Sequence, residues 1–307
     1  MTEGRQHRGV VHEAGGGVYS VVLADGSRVE ASLRGRLKQE QRNGNRVVIG
    51  DEVGVRVESD AVTIESVHAR RAELIRRGRG RAPRILAANL DRVFVVISLR
   101  EPRGSLQLVD RMLVLVEASG MDPVLVLNKA DLEGTLSTQE AWATLYRSIG
   151  YTVLVTSATG GQGVPELHER LCSGISALIG PSGAGKSTLL NAVDPGLDLR
   201  TGLLSRKTRT GRHTTVGSRL IPLDCGGSVA DTPGFGDVAL WSVEPGAIAS
   251  CFPEFEEPAG GCRFRACTHV HEPGCTVRDA VEDGVIAPSR YENYVRLRQE
   301  AEAQQPF

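Results

Sequence analysis

The segment from Gly180 to Thr188 has residue types that bind phosphate. Its sequence is Gly-Pro-Ser-Gly-Ala-Gly-Lys-Ser-Thr, after the apolar run Ile175 to Ile179 and before the helix-like Leu189 to Val193. A glycine-rich turn between a strand and a helix aims backbone N–H groups and the helix N-terminus at one phosphate. Lys186 then reaches the β- and γ-phosphate oxygens, and the Ser187 hydroxyl binds Mg²⁺. The predicted phosphate loop comprises Gly180, Pro181, Ser182, Gly183, Ala184, Gly185, Lys186, Ser187 and Thr188. The alternative is a glycine-rich turn without a ligand.

Two polar segments earlier in the chain follow predicted strands. Asn128 to Asp131 follows Pro123 to Leu127, and Thr156 to Ala158 follows Thr152 to Val155. Ligands of parallel sheets bind beyond the carboxyl ends of the strands, which is where both segments fall. The predicted base-binding residues are Asn128, Lys129, Ala130, Asp131, Ser157 and Ala158. Two unrelated polar loops are the alternative.

The residue types in these segments suit guanine. The Asp131 carboxylate can accept from both N1–H and the 2-amino group, a pair of donors that adenine does not offer. We expect Asn128 to tie this loop to the phosphate loop, the Lys129 stem to pack on the base, and the Ala158 N–H to meet the guanine O6. Asp131 therefore disfavours a P-loop ATPase or kinase.

Two segments after the phosphate loop are candidates for sensing the γ-phosphate. Asp194 to Gly217 is long, polar and rich in Gly and Thr, and Thr215, in preference to Thr214, is predicted to bind Mg²⁺. Downstream, Asp231 would bind Mg²⁺ through water, and the Gly234 N–H would meet the γ-phosphate.

A cysteine cluster near the C-terminus has the spacing of a metal site. Cys262, Cys267 and Cys275 lie close together among glycines and prolines, with His269 and His271 as possible imidazole ligands. Three thiolates and one imidazole suit a closed tetrahedral Zn²⁺ site. The alternative is that these are free core cysteines, but a segment with so few apolar residues would not fold without a metal or another cross-link.

The elements that must position these residues fall into three groups. Short β-like runs before residue 70 fit a small barrel of the oligonucleotide-binding (OB) type, with Gly35 to Asn45 as a long loop. From Asp91, strands alternate with helices, which implies a parallel sheet covered on both faces. Helices are predicted at Val277 to Glu282 and Ser289 to Ala303. The five predicted barrel strands are Val18–Leu23, Arg28–Leu33, Arg46–Ile49, Val53–Glu58 and Val62–Val67.

Charge is distributed unevenly along the chain. The net charge is −1 over 307 residues, but the segment up to Leu86 has 16 Lys and Arg against 11 Asp and Glu. Seven arginines between Arg70 and Arg84, with Gly78, Gly80 and Pro83 against regular structure, predict an RNA contact or, alternatively, a solvated charge run. The alternative to an RNA-binding barrel is a barrel that only supports another domain by packing against it. No apolar run is near the ~18 residues of a membrane span, so we expect a cytoplasmic protein.

The order of these motifs resembles one known family. The base-binding segments precede the phosphate loop, whereas they follow it in ordinary small GTPases. With the preceding barrel, Gly211 to Thr215, Asp231 to Gly234 and the cysteine cluster, the chain resembles the circularly permuted, ribosome small-subunit-dependent GTPases, the RsgA/YjeQ family. The resemblance implies GTP hydrolysis stimulated by the 30S subunit and its 16S rRNA, during late maturation of that subunit. It also assigns the imidazole zinc ligand to His269.

Phe235 departs from the usual GTPase pattern. Many GTPases have a water-orienting glutamine at this position, and an apolar side chain cannot orient water. By resemblance, His213 is a candidate catalytic residue in addition to Lys186. The alternative is that His213 is an ordinary surface histidine.

The predicted architecture is an α/β P-loop GTPase core, circularly permuted, between an OB-fold barrel and a zinc-binding helical domain. We expect an RNA-binding barrel at residues 1–72, the GTPase at 73–238 and the zinc domain at 239–307. The predicted ligands are GTP or GDP, Mg²⁺ and one structural Zn²⁺, in a monomer without membrane association. The alternative function is a nonhydrolysing RNA-binding assembly factor that uses GTP as a structural ligand.

Overall fold

The structure, a computed structural model, describes residues 5–42, 46–58, 61–76, 84–199, 218–231 and 243–303. Within these ranges the chain forms a barrel, an α/β core and a C-terminal helical region. No helix among the described residues is both long and apolar enough to cross a membrane.

The N-terminal barrel is closed by five strands of the described chain, in the order β1-β2-β3-β5-β4 with β4 returning to β1. Alternate side chains point inward, and Val11, Val21, Val55 and Ile64 are fully buried. Among these described barrel strands, β3 and β5 are the one parallel pair. The strands are β1 (Arg5–Gly15), β2 (Val18–Leu23), β3 (Arg28–Leu33), β4 (Glu52–Val57) and β5 (Val62–Val67). The predicted barrel class is confirmed.

Two local predictions for the barrel are wrong. Arg46–Ile49 is not a strand: only Ile49 pairs, in an isolated bridge with Ala87, and the missing strand is β1. The predicted loop from Gly35 begins as helix α1 (Gly35–Arg42). Leu37 of this helix is buried in the barrel core, and this apolar contact packs an otherwise polar helix against the barrel.

The basic segment after the barrel also differs from its prediction. Its ends form a hairpin of β6 (Glu73–Arg76) and β7 (Arg84–Ala88). Arg70 lies against Asp51, with 2.7 Å between Nε and Oδ1, and it also contacts Glu73. Asp51 is fully buried, so this guanidinium neutralises a carboxylate that is distant in sequence. The prediction that Arg70 contacts RNA is therefore wrong, because its guanidinium is paired within the protein. Arg77, Arg79 and Arg81 lie outside the described residues.

The central sheet has the order β10-β9-β8-β11-β13-β12, with all its pairings parallel except that of β12 with β13. Two helices pack on one face and two on the other, each through its buried apolar side. The strands are β8 (Arg92–Ser98), β9 (Asp122–Asn128), β10 (Thr152–Thr156), β11 (Ile175–Ile179), β12 (Ser218–Pro222) and β13 (Ser228–Asp231). The helices are α2 (Leu106–Glu117) and α3 (Leu136–Ser148) on the first face, then α4 (Val164–Leu171) and α5 (Lys186–Val193) on the second.

The sheet continues from the core into the barrel. Strand β1 pairs antiparallel with β12, with Glu13 opposite Arg219 and Ala14 opposite Ser218. The barrel is thus attached directly to the hairpin of β12 and β13 rather than only through the chain between domains.

The C-terminal region packs on helix α2. It contains α6 (Glu256–Ala259), α7 (Thr276–Glu282) and α8 (Pro288–Ala303). Val114 and Leu115 of α2 join a core with Phe252, Tyr294 and Leu297, while the opposite face of α2 packs on the sheet. A helix that is apolar on both faces is buried on both, as the sequence of α2 requires.

A buried ion network lies in the same interface. Arg290 of α8 donates to Asp110 of α2 at 2.6 Å and to Glu254 at 2.6 Å. Tyr146 and Asn293 also donate to the Asp110 carboxylate. Burial raises the pKa of Asp110, while the charge of Arg290 opposes that shift. Arg290 therefore forms internal ion pairs that join α8 to α2 and to Glu254.

Candidate active site and metal centre

The predicted nucleotide-binding segments meet at one edge of the central sheet. Lys129 to Asp131 follow β9, Ser157 and Ala158 follow β10, and the phosphate loop follows β11, all at carboxyl ends of parallel strands. Asp231 ends β13, the next strand in the order. This is the edge where open α/β sheets bind ligands.

Glycines give the phosphate loop its conformation. Gly180, Gly183 and Gly185 have φ values of +151°, +82° and +96°, which disfavour any other residue. A Cβ at Gly180 would clash with the carbonyl oxygen of Val96, and one at Gly185 with the side chain of Asn128. The loop is therefore closely packed before α5 begins at Lys186, with its helix N-terminus at the end of the loop.

Asn128 joins the base-binding loop to the phosphate loop. Its Nδ2 donates to the Ala184 carbonyl at 2.8 Å, and its Oδ1 accepts from the Thr156 hydroxyl at 3.0 Å. Asn128 is buried, so each of these contacts satisfies a polar group that has little access to water. The Ala130 N–H donates to the carbonyl of Thr156, the last residue of β10, which joins the end of this strand to the same loops.

Lys186 is partly buried at the centre of the loop. Its Nζ donates to the carbonyl oxygens of Gly180 at 2.7 Å and Pro181 at 2.9 Å. Burial lowers the pKa of the amine to about 8. Ser187 beside it is 7% exposed, and Ser182 is on the surface of the loop.

The side chain of Asp131 is exposed and positioned by hydroxyl groups. Hydrogen bonds from Ser157, and a smaller contribution from Thr159, lower the pKa of this carboxyl. Thr159 Oγ1 donates to Asp131 Oδ2 at 3.2 Å. Lys129 has a φ of +63° and its amine donates to the Glu101 carbonyl. The ionised carboxylate and the lysine stem therefore lie on one loop beside Ala158.

Thr159 and Glu101 were not identified from the sequence. Thr159 directly follows a recognised tripeptide, which is the only signal that could have found it. Glu101 follows β8 and contributes a backbone oxygen, so its residue type gave no information.

Asp231 lies at the end of β13, where the predicted γ-phosphate segment starts. Burial raises the pKa of its carboxyl, and Arg219, with Nε 3.5 Å from Oδ2, opposes the shift. Other predicted residues of this part of the site, His213, Thr215 and Gly234, lie outside the described residues, as does Phe235.

The four predicted metal ligands of the C-terminal region lie together. One ligand atom from each of Cys262, Cys267, His269 and Cys275 lies within 4.8 Å of the others. The sulfur atoms of Cys262 and Cys275 are 4.0 Å apart, and His269 Nδ1 is 3.6 and 3.4 Å from them. Zn–S bonds of ~2.3 Å and Zn–N bonds of ~2.0 Å at tetrahedral angles place two sulfur atoms about 3.8 Å apart, and a sulfur and a nitrogen atom about 3.5 Å apart. The donor set therefore fits a tetrahedral metal ion.

The backbone around this cluster is fixed by neighbouring side chains. His269 has a φ of +58°, and its carbonyl accepts from the Tyr291 hydroxyl of α8 at 2.8 Å. Glu272 accepts from the N–H groups of Thr268, Val270 and His271. His271, the competing imidazole, is exposed and is not among the four clustered ligands.

Taken together, the base-binding loops before the phosphate loop, the glycine geometry and the strand order define a circularly permuted P-loop GTPase. A family profile, the RsgA GTPase, matches residues 67–241. The chain belongs to the RsgA GTPase family.

Curated relatives match along almost the whole chain. The small ribosomal subunit biogenesis GTPase RsgA of Gemmatimonas aurantiaca is 45% identical over 300 residues, covering 95% of this chain and 96% of the relative. The protein of the same name from Moorella thermoacetica is 42% identical over 293 residues, covering 94% and 96%. The family and the GTP hydrolase class predicted from the motif order are confirmed.

Solved structures match the fold. The crystal structure of YjeQ from Thermotoga maritima aligns with a TM-score of 0.81 at 34% identity, covering 98% of this chain and 100% of that chain. YloQ, described as a circularly permuted GTPase, aligns with a TM-score of 0.78 at 30% identity, covering 100% and 98%. The predicted permuted core is confirmed.

Proposed function

We propose that this protein hydrolyses GTP to GDP and phosphate as a release switch on the small ribosomal subunit during late maturation of that subunit. The observation that supports this most is the bond from Asn128 to Ala184, which joins a guanine-binding loop to a phosphate loop in a permuted core. The relatives named small ribosomal subunit biogenesis GTPase support the ribosomal role. They do not favour the nonhydrolysing alternative.

The described loops would bind and orient the nucleotide. Asp131 accepts from the guanine edge, Ala158 donates its N–H to O6, and the phosphate-loop N–H groups donate to the phosphate oxygens. Lys186 exchanges its two carbonyl contacts for β- and γ-phosphate oxygens, where its charge offsets the charge that develops in phosphoryl transfer. Ser187, Thr215 and Asp231 would hold Mg²⁺, the last through water, and the ion would neutralise phosphate charge.

Hydrolysis also needs an oriented water. We assign His213 to this role and Gly234 to a backbone contact with the γ-phosphate, because Phe235 cannot supply the polar group. The metal at Cys262, Cys267, His269 and Cys275 is zinc, held by three thiolates and one imidazole in a closed structural site.

The remaining proposals concern the whole chain. We assign an RNA-binding barrel to residues 1–72, the GTPase to 73–238 and the zinc domain to 239–307. The partner is the 30S subunit with its 16S rRNA, and the protein acts as a cytoplasmic monomer.

The test is steady-state GTP turnover with and without purified 30S subunits. We expect slow turnover alone and a large increase with saturating subunits. The Lys186→Ala variant is the control, because it removes the phosphate-binding amine and should abolish turnover in both conditions. Binding of GTP without turnover at any subunit concentration would favour the structural-ligand alternative.

A further inference from the structure

Two cysteines outside the predicted metal cluster are joined in the fold. Cys172 caps the C-terminus of α4, and Cys225 lies in the turn between β12 and β13. A disulfide connects them across a sequence separation of 53 residues, with their Cα atoms 5.1 Å apart. That Cα distance is within the usual range for disulfides.

Apolar contacts besides the disulfide also hold the two segments together. Leu171 and Leu223, their neighbours in sequence, are buried in the same apolar core. Gly227 approaches the C-terminus of α4 so closely that a Cβ there would clash with the Leu171 carbonyl. Forming the bond therefore needs no backbone rearrangement, and the effective concentration of one thiol at the other is high.

The surroundings of the pair also suit thiol chemistry. Cys172 and Cys225 are both partly exposed, and the His168 ring nitrogens are 3.6 Å from the Cys172 sulfur. An adjacent imidazole can accept the thiol proton, and the thiolate is the reactive form. Cys251 is a contrast, because it is buried and burial raises the pKa of its thiol to about 11.

We propose that Cys172 and Cys225 form a reversible thiol–disulfide site that tethers the β12–β13 hairpin to α4. The oxidant is a low-molecular-weight disulfide such as oxidised glutathione. The Cys172 thiolate, formed by proton transfer to His168, attacks it and releases one glutathione thiolate. The Cys225 thiolate then attacks the Cys172 sulfur and releases the second. The two cysteines lose two electrons, the oxidant becomes two glutathione thiols, and the thiol protons pass to those leaving groups.

The disulfide lies on the hairpin that ends at Asp231, a residue of the proposed nucleotide site. The hairpin joins residues 200–217 to Asp231, and its other neighbours are β11 and the barrel strand β1. Oxidation adds a covalent bond between the turn of this hairpin and α4. This goes beyond the proposed function, and a cytosolic location would make the site a redox sensor rather than a permanent staple.

The test uses the full-length zinc-bound protein, treated with oxidised glutathione and then mapped by alkylation and mass spectrometry. We expect Cys172 and Cys225 to lose alkylation together, without a retained glutathione, and to regain it with dithiothreitol. The melting temperature should rise by roughly 5 °C or more, because the unfolded chain is constrained. Amide exchange in residues 219–230 should slow several-fold. Cys225→Ser should retain one glutathione on Cys172 and show neither the higher melting temperature nor the slower exchange, whereas the control Cys251→Ala should behave as the parent protein.

A second variant tests the role of the imidazole. His168→Asn should slow oxidation several-fold at pH 7 but not at pH 9, where thiolates form without a base. Independent alkylation of the two cysteines after oxidation, a glutathione adduct that persists on the parent protein, or a pH-independent effect of His168→Asn would overturn the proposal. A second zinc ion in the reduced protein that Cys225→Ser loses would reassign the cluster as a metal site.

Discussion

Lys186 carries an amine whose charged form is disfavoured by burial in its own loop. Burial lowers the pKa of the amine to about 8, so the charged form is favoured below that pH and lost above it. A bound phosphate stabilises the charged form, which means that nucleotide binding above pH 8 must take up a proton. We therefore expect the GTP dissociation constant to rise about fourfold between pH 7 and pH 8.5. Equilibrium titration with a nonhydrolysable GTP analogue at both pH values checks this.

The Lys186→Arg variant is the matched control for that measurement. Its guanidinium does not titrate in this range, so its weaker binding should be flat with pH. An equal slope in both proteins would assign the pH dependence to another group.

In the proposed site, Asp131 contacts the base rather than the phosphates. Its ionised carboxylate offers only acceptors, matched to the two donors of guanine, whereas an amide offers a donor to a donor. We expect Asp131→Asn to weaken GTP by at least tenfold and to favour xanthosine triphosphate. Competition binding with both nucleotides decides this, and unchanged selectivity for GTP would remove Asp131 from the base site.

At the scale of elements, α2 depends on a buried charge. Asp110 is fully buried and is neutralised by Arg290, which is 1% exposed. Replacing Asp110 by Ala leaves that guanidinium buried and unpaired on this side, which should cost ~3–5 kcal/mol of unfolding free energy. Urea denaturation measures the loss, with Asp122→Ala, at an exposed position of β9, as the control. A loss no larger than that of Asp122→Ala would show that Arg290 finds other partners.

Elements with strong local patterns could be predicted from the sequence, and elements defined by distant partners could not. The apolar runs of β9 and β11 specify buried strands, and the structure differs from their predicted limits by at most one residue at either end. By contrast, α1 depends on one leucine that enters the barrel, and its polar sequence indicates a loop. Arg70 likewise resembled a free cation because its partner, Asp51, lies on another segment.

The residues of the candidate site also fall into those with a local sequence pattern and those defined by distant partners. Asn128, Asp131 and the phosphate loop belong to dense local motifs, so their meeting at one sheet edge followed from strand order. The contacts of Thr159 and the pairing of Cys172 with Cys225 arise only in the folded chain, since no local pattern relates the two segments.

At the scale of the molecule, the C-terminal region with its cysteine cluster and the barrel attach to different parts of the GTPase core. The C-terminal core packs on α2, and the barrel pairs with β12. Loss of the metal should therefore loosen the C-terminal region and leave the phosphate loop intact. We expect Cys267→Ser to lose about one zinc ion per chain and to unfold this region at lower temperature, with GTP affinity nearly unchanged.

Metal analysis, thermal melting and nucleotide titration on the same preparation check that expectation. Cys251→Ala, a buried cysteine outside the ligand set, is the control and should retain the metal. A metal-free wild-type protein with a folded C-terminal region would contradict the zinc assignment.

Phe235 leaves the nucleotide site without the usual glutamine, so the polar group must come from elsewhere in the chain or from the partner. If docking of the barrel and zinc region places His213 against the γ-phosphate, the gain is energetically reasonable, since an arginine inserted in other GTPases raises turnover by ~10³–10⁵. His213→Ala should then bind GTP and 30S subunits normally, keep its basal rate and lose most of the stimulated rate. Turnover of both proteins at saturating 30S measures this. Equal stimulation would assign the catalytic group to rRNA or another side chain, and weaker 30S binding would make His213 a docking residue.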